Sequence, residues 1–248
     1  WTWIVTIFTA IVAYQHRHKN NDLMPYVLFA MASNMIFFSI LSVFISNPFQ
    51  TLYQEFGNTL QEFTARDGHG LNPLLQHPAM IIHPPVLFIG YVGSVVPFAF
   101  AIAALITGKL GAGWIHTTRR WALTTWGFLA VGIVLGGKWA YVELGWGGYW
   151  AWDPVENASL LPWLTSTAYL HSVMIQERKG MLKVWNMALV IATYLLAIFG
   201  TFLTRSGIVS SVHAFANSGL GPAFAIFLGM GLIFSVTLLL YRRKDLKP

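Results

Sequence analysis

The chain has 248 residues, of which 56% are hydrophobic and 10% charged, with a formal net charge of +6. Soluble domains average about 25% charged residues, so this composition excludes an ordinary soluble protein. The sequence contains no cysteine, which excludes a disulfide framework and a thiolate metal site within the chain.

Apolar runs of about twenty residues recur along the chain and predict an all-α fold, a polytopic transmembrane helical bundle. Residues 1–14 are apolar but too few to cross a hydrocarbon core of about 30 Å. We therefore expect residues 1–248 to be a single membrane domain that starts inside a span and belongs to a longer protein. Six full spans are predicted after this partial one, at residues 24–46, 83–108, 121–142, 158–176, 184–204 and 222–241.

The longest segment between predicted spans, residues 47–82, carries large apolar residues at steps of three and four. This spacing predicts an amphipathic helix lying in the membrane interface. A helix packed on the protein's own body fits the same pattern. The apolar residues are Phe49, Tyr53, Phe56, Leu60 and Phe63.

The basic residues are unevenly distributed between the two sides of the predicted bundle. The segments 15–23, 109–120 and 177–183, together with the tail from residue 242, hold 12 of the 15 lysines and arginines. The positive-inside rule places these segments in the cytoplasm and the segments 47–82, 143–164 and 205–221 outside it. The excess of positive charge thus indicates topology rather than nucleic-acid binding.

Residues 143–164 comprise a loop, which we call the Trp-rich loop, and the start of the following helix, and they combine glycines with large aromatic side chains. Indoles at this density either cover a large flat ligand or anchor the chain at a membrane interface. Asp153, Pro154 and Glu156 have the spacing of a capping box and predict that the loop runs directly into a helix. We assign Asp153 and Glu156 to capping rather than to an acid–base pair. The aromatic candidates for ligand contact are Trp146, Tyr149, Trp150 and Trp152.

Two histidines are expected at the membrane face that carries the Trp-rich loop. His83 opens the predicted span at 83–108, and His213 lies in the connection at 205–221. Two imidazoles beside an indole-lined wall suit a flat metallated macrocycle, which needs axial nitrogens for its iron and apolar surface for its ring. A capping or interfacial role for each histidine is the alternative.

His171 differs because it lies inside the predicted span at 158–176, about 10 Å from its cytoplasmic end at 1.5 Å per residue. An ionisable side chain at that depth indicates a functional site with a buried partner. It could ligate an iron with a second histidine from outside this chain, or stay neutral and hydrogen-bond a neighbouring helix. Arg205 could bind a haem propionate or a phospholipid headgroup. We expect His16, His18 and His116 to be solvated.

The stretch WGGYWAWDPVENASLLPWL resembles the tryptophan-rich WWD signature of haem-handling proteins. LNPLLQHPAMIIHPPVLFIGYVG at 71–93, LHS at 170–172 and GTFLTRSGIVSSVHAFA at 200–216 narrow the match. Together they resemble the CcmF/NrfE branch of that family, the haem lyase components of cytochrome c maturation. They do not separate CcmF from NrfE.

The resemblance implies roles for individual residues. His83 and His213 match the family's axial ligands for haem at the WWD site, with Trp146, Trp150 and Trp152 shielding the porphyrin. His171 matches one of two transmembrane ligands of a resident haem b, whose second ligand would lie outside this chain. That haem would keep the transferring iron reduced.

The resemblance also implies an activity, partners and a location. Haem would arrive on a CcmE-type chaperone and be joined to the CXXCH cysteines of apocytochrome c, with CcmH/CcmI-type subunits as further partners. The expected location is the bacterial inner membrane, or an organelle inner membrane, with the Trp-rich loop on the periplasmic side. From the residues alone, a redox cytochrome b subunit, a haem transporter and a scaffold for partner proteins are the competing classes.

Overall fold

A computed structural model describes residues 1–18, 22–49, 51, 70–213 and 219–246, and within these residues all regular structure is helical. This confirms the predicted all-α class for the described part of the chain. The helices are α1 (Thr2–His16), α2 (Met24–Ile40, continued by a π-helical turn at Leu41–Ile45), a 3-10 turn at Pro73–Leu75, α3 (Ala79–Gly93), α4 (Val95–Thr107), α5 (Gly113–Glu143), α6 (Pro154–Lys179), α7 (Lys183–Ser206) and α8 (Gly221–Tyr241).

Five helical stretches in the described ranges are long and apolar enough to cross a membrane, against six full spans predicted. They are Met24–Ile45, Ala79–Thr107, Gly113–Glu143, Lys183–Ser206 and Gly221–Tyr241. The predicted span at 158–176 lies within α6, whose 26 residues extend about 39 Å, so length is sufficient. What distinguishes α6 from the other five helical stretches is its composition, which is more polar.

Helix α6 buries a row of polar side chains on the side that packs against α5 and α7. The exposed positions include Leu161, Leu164, Met174 and Ile175. An inward polar face lowers the hydropathy of the helix without exposing those groups to lipid, provided that neighbouring helices satisfy them. The buried polar residues are Glu156, Ser159, Ser166, Tyr169, Ser172 and Gln176.

Helix α3, which carries His83, packs closely along α5. Two glycines permit this approach. A Cβ added at Gly90 would lie 2.8 Å from the backbone nitrogen of Leu129, and one added at Gly132 would lie 2.8 Å from the Cα of Leu87. Small residues at such crossings let helix backbones approach one another in membrane proteins. The site described below therefore rests on a rigid helix pair.

Basic side chains gather at the end of the bundle opposite the Trp-rich loop. Arg242 donates hydrogen bonds to the carbonyls of Leu105 and Ile106 at the end of α4, each at 2.9 Å. Arg119, near the start of α5, lies 3.8 Å from Glu177 near the end of α6. Helix α5 has 31 residues and extends about 46 Å from this end to the Trp-rich loop. The basic connections thus lie at one end of the bundle and the Trp-rich loop at the other, as the predicted alternation of spans requires.

The prediction that His83 opens its helix is wrong. The helix begins at Ala79, so His83 lies more than one turn inside it and Pro84 and Pro85 are interior residues. Proline usually favours the first helical position, which explains the error. Proline has no backbone N–H group, so each of the two prolines removes one hydrogen-bond donor from the helix. They do so close to the helix start, where Ile81 is 77% exposed.

The prediction that His16 is solvated is also wrong. Helix α1 continues through His16, whose side chain is buried. Its Nδ1 lies 2.9 Å from the carbonyl oxygen of Val12, and its ring packs 5.6 Å from that of Phe100. The predicted amphipathic helix between Phe49 and Phe63 falls mainly on residues 52–69, outside the described residues.

Candidate functional site

The Trp-rich loop ends in the predicted capping box, which the structure confirms. The Asp153 carboxylate accepts hydrogen bonds from the backbone N–H groups of Val155, at 3.0 Å, and Glu156, at 3.4 Å. In return, Glu156 Oε2 accepts the N–H groups of Asp153, at 3.3 Å, and Ala151, at 3.0 Å. These reciprocal bonds satisfy the free donors at the start of α6 and fix the end of the loop.

The backbone of the loop is irregular at three positions with positive φ. Gly145 has φ +47° and Gly147 has φ +71°, as the glycine content predicts. Trp152 has φ 59°, a conformation that costs a residue with a side chain about 1–2 kcal/mol. Its carbonyl oxygen accepts a hydrogen bond of 2.9 Å from Asn157 Nδ2. The loop thus holds an indole in a strained conformation with its side chain 73% exposed, which is typical of functional sites.

His83 is held in one orientation by α5. Its Nδ1 lies 2.8 Å from the carbonyl oxygen of Gly132. Because a carbonyl oxygen only accepts, Nδ1 carries the proton and Nε2 keeps its lone pair. Gly136 leaves room for the ring, since a Cβ there would lie 2.6 Å from His83 Cε1 and 3.0 Å from Nε2.

His213 is held in a similar way, by a carboxylate. Its Nδ1 lies 3.2 Å from Asp153 Oδ2. The same oxygen accepts a hydrogen bond of 2.7 Å from Ser211 Oγ. The His213 ring also packs edge to face on Trp139, with the ring centroids 6.0 Å apart. Here too Nδ1 is occupied and Nε2 keeps its lone pair.

The two histidines, which are 130 residues apart in the sequence, line one cavity. The cavity has a volume of about 50 Å³. Such a volume holds one or two water molecules, whereas cofactor pockets have about 300–1,000 Å³. A porphyrin would therefore extend beyond the cavity. The other lining residues are Leu87, Ile133, Gly136, Gly137, Trp150, Val155, Glu156 and Ser159.

The four aromatic candidates have different surroundings. Trp150 lines the cavity and packs edge to face with Trp152, at 6.5 Å between ring centroids. Tyr149 stacks on Tyr141 at 4.5 Å and is 61% exposed. Trp146 instead packs against a buried cluster of Trp139, Ala140 and Leu144, which we call the Trp139 cluster, and it does not line the cavity.

His171 and Arg205 lie apart from this cavity. His171 is exposed on the outward face of α6 and makes no hydrogen bond to the described residues. Its alternative interpretation, a neutral histidine bonded to a neighbouring helix, thus finds no partner in the described part of the chain. Arg205 lies in the last turn of α7, exposed at the same end as the Trp-rich loop.

Sequence reasoning missed the groups that orient the two imidazoles. Asp153 was assigned to its cap alone, although it also contacts His213, 60 residues away. Trp139 and Ser211 were not singled out. The adjacent glycines Gly136 and Gly137, inside a helical pattern, are the one signal that could have indicated a close approach.

The residues at this cavity suit a haem iron. Two imidazoles have Nδ1 on an acceptor and Nε2 unprotonated, as axial histidine ligands require. Gly136 provides a recess beside His83 that a Cβ would fill. Among the described residues no group of three or more His, Asp, Glu or Cys side chains could hold a bare metal ion.

This chain is similar to several known proteins. A family model described as "Cytochrome C assembly protein" matches residues 1–209. The "Cytochrome c-type biogenesis protein CcmF" of Haemophilus influenzae is 46% identical over 217 residues, which cover 88% of this chain and 32% of the relative. The protein of the same name from Pseudomonas aeruginosa is 46% identical over 228 residues, covering 92% of this chain and 32% of the relative.

A solved structure, "Cytochrome c Heme Lyase CcmF", has a TM-score of 0.75 and 36% identity to this chain, and the match covers 96% of this chain and 34% of that one. The chain thus spans about a third of the length of the relatives it matches. These matches confirm the resemblance that its motifs predict. The chain belongs to the cytochrome c assembly protein family, in its CcmF/NrfE branch.

Proposed function

We propose that this chain forms the haem-handling part of a haem lyase component. It binds haem through His83 and His213 and presents it to the cysteine thiols of an apocytochrome c. The observation that carries the proposal is the convergence of these imidazoles on one cavity, each with its Nδ1 on an acceptor.

The proposed reaction does not need a nucleophile from this chain's own side chains. Each apocytochrome thiol adds across a haem vinyl group, so that one S–C bond forms and the thiol hydrogen ends on the terminal vinyl carbon. Atoms and electrons balance without a nucleophile from this protein. The chain contributes proximity and orientation, which can supply about 7–11 kcal/mol of a barrier. No side chain is therefore assigned as a catalytic nucleophile.

The size of the cavity defines how haem would sit. Since the cavity that the histidines line has about 50 Å³, a bound macrocycle would extend beyond it, and Trp152 and Tyr149 are exposed nearby in the same loop. Trp150 covers the porphyrin where it leaves the cavity, as its place in the lining supports. Trp146 stabilises the loop by packing on the Trp139 cluster. Arg205, which is exposed at this end, would be the residue that contacts a propionate.

The remaining partners and the orientation follow from the family and from the distribution of charge. A CcmE-type chaperone delivers haem, apocytochrome c receives it, and CcmH/CcmI-type subunits assemble with the full-length protein. The basic end faces the cytoplasm of a bacterium and the Trp-rich loop faces the periplasm. Helix α6 crosses the membrane as a sixth span, because its neighbours α5 and α7 span it and cover its polar face.

His171 serves a second haem, a resident haem b, in this proposal. Its outward position on α6 and its lack of a hydrogen-bond partner among the described residues support a ligand that binds a group outside this bundle. The second ligand comes from another part of the longer protein. An imidazole exposed at this depth is otherwise costly.

Difference spectra of the full-length protein test these assignments. We expect His83→Ala and His213→Ala each to abolish capture of delivered haem while the resident haem remains, and His171→Ala to lose the resident haem. His116→Ala, which removes an exposed histidine at the basic end, is the matched control and should bind both haems. Normal haem capture by both His83→Ala and His213→Ala would refute the lyase site and favour a cytochrome b subunit.

A further inference from the structure

We propose that Asp153 is a positioning residue that makes His213 the stronger of the two iron ligands and His83 the one that exchanges. The inference rests on the proposed function and adds which of the two histidines binds the iron more strongly. His213 Nδ1 contacts Asp153 Oδ2 at a distance of 3.2 Å. Both side chains are largely buried, with 20% of His213 and 10% of Asp153 exposed.

The carboxylate is fixed before any ligand arrives. Besides His213, Asp153 Oδ2 accepts hydrogen bonds from Ser211 Oγ at 2.7 Å, Val155 N at 3.0 Å and Glu156 N at 3.4 Å. The last two donors belong to the start of α6, whose positive dipole end favours a negative charge at this place. The His213 ring is therefore aligned by an acceptor that does not need to reorganise when iron binds.

A second contact restricts the His213 ring. Trp139 packs edge to face on it at 6.0 Å. The Trp139 indole is 2% exposed and donates a hydrogen bond of 3.2 Å to the carbonyl oxygen of Leu74. Asp153 sets the direction of Nδ1 and Trp139 limits rotation of the ring, so Nε2 has one orientation.

His83 has a weaker electronic partner. Its Nδ1 donates to the Gly132 carbonyl, a neutral dipole, at 2.8 Å. A carboxylate that accepts the Nδ1 proton increases the basicity of Nε2 more than a carbonyl does. His213 therefore donates more charge to the iron, stabilises its ferric form and stays bound longer. On transfer of haem to the apocytochrome, His83 would be the ligand released first.

Substitutions at Asp153 can separate this role from helix capping. Asp153→Asn keeps a good N-cap and an oxygen that can accept the Nδ1 proton, and removes only the charge. Asp153→Ser keeps a cap but is too short to reach His213. Glu143→Gln is the matched control, since it removes a carboxylate at the end of α5 that does not line the cavity.

The experiment uses the full-length protein loaded with haem at this site, with redox titration and displacement by free imidazole as readouts. We expect Asp153→Asn to favour the ferrous form about tenfold more, which is a rise of about 59 mV in midpoint potential. Asp153→Ser should lower haem affinity about 10- to 100-fold. Glu143→Gln should match the wild type. Circular dichroism reports whether α6 remains capped in each variant.

The two proposals fail in different ways. Wild-type protein that takes up no haem through His83 and His213 would overturn the proposed function. Wild-type uptake with an unchanged midpoint potential in Asp153→Asn would overturn the inference alone. If Asp153→Ser does not fold, Asp153→Asn still decides the question. An equal shift in Glu143→Gln would also overturn it, since it would show a general charge effect.

Discussion

Gly136 leaves the space that the His83 imidazole occupies, and Gly136→Ala should displace that ring. The added Cβ would lie 2.6 Å from Cε1, 3.0 Å from Nε2 and 3.1 Å from Nδ1 of His83. Ordinary contacts begin at 3.4 Å, so the ring would have to withdraw by about 0.8 Å. Helix α3 cannot follow it, because Gly90 and Gly132 keep α3 against α5.

The displacement has two costs. The hydrogen bond of 2.8 Å to the Gly132 carbonyl lengthens or breaks, at about 1 kcal/mol. Nε2 also leaves the position at which it meets the iron, and functional geometry tolerates errors of only about 0.5 Å. We therefore expect the haem affinity of the full-length protein to fall at least about tenfold, since supporting contacts of metal ligands are worth about 10- to 100-fold.

Absorption titration with haem measures the affinity, and thermal denaturation followed by circular dichroism measures stability. Gly127→Ala is the matched control, because it lies on the same helix and a Cβ there meets nothing within 4 Å. The control should bind haem normally and gain up to about 1 kcal/mol of helix stability. Wild-type affinity in Gly136→Ala would refute the proposed fit of His83 against α5.

Further predictions concern the loop, the basic end and the interior of the bundle. Trp150→Ala should weaken binding of haem-loaded chaperone, measured by co-purification, whereas Trp146→Ala should lower the melting temperature, because only Trp150 lines the cavity. Equal effects of both changes on chaperone binding would contradict this. The hydrogen bond and the charge of Lys109 lower the pKa of Asp22. Their pair should therefore stabilise the protein above the ordinary pKa of an aspartate, and lose its effect as the pH falls through the lowered value. Melting temperatures of Asp22→Asn and wild type should converge at low pH and high salt. Asn186→Ala removes the partner of buried Ser172 and Gln176, and should destabilise the protein by about 1–3 kcal/mol in detergent unfolding.

Local features of the fold could be predicted from the sequence, because their signals are short-range. The capping box joins Asp153 to Glu156, three residues away, and the structure has it as predicted. Apolar runs located the helices, since burial in lipid depends on composition. The run at 158–176 also lies within α6, although the buried polar residues of that helix leave it outside the five most apolar stretches. His16 was wrongly placed in water, because a charged neighbourhood in the sequence does not reveal which face of the helix is covered.

The candidate site was only partly predictable, because its contacts are between distant residues. His83 and His213 were chosen by residue type and expected face, and they line one cavity. Neither composition nor spacing can show that Asp153 contacts His213 across 60 residues. Trp150 lines the cavity and Trp146 does not, and the loop that carries both has three positive φ angles. Such angles follow from the tertiary fold rather than from local propensity.

The inward polar face of α6 has a consequence for how the protein is made. A segment of such low hydropathy is a poor substrate for release into lipid by the translocon, since each polar group left without a partner there costs several kcal/mol. With α6 as the sixth span proposed above, we expect it to remain beside the translocon until α7 emerges and Asn186 can bond Ser172 and Gln176. Substitutions on α7 would then lower the amount of protein in the membrane before they change anything that the finished protein does.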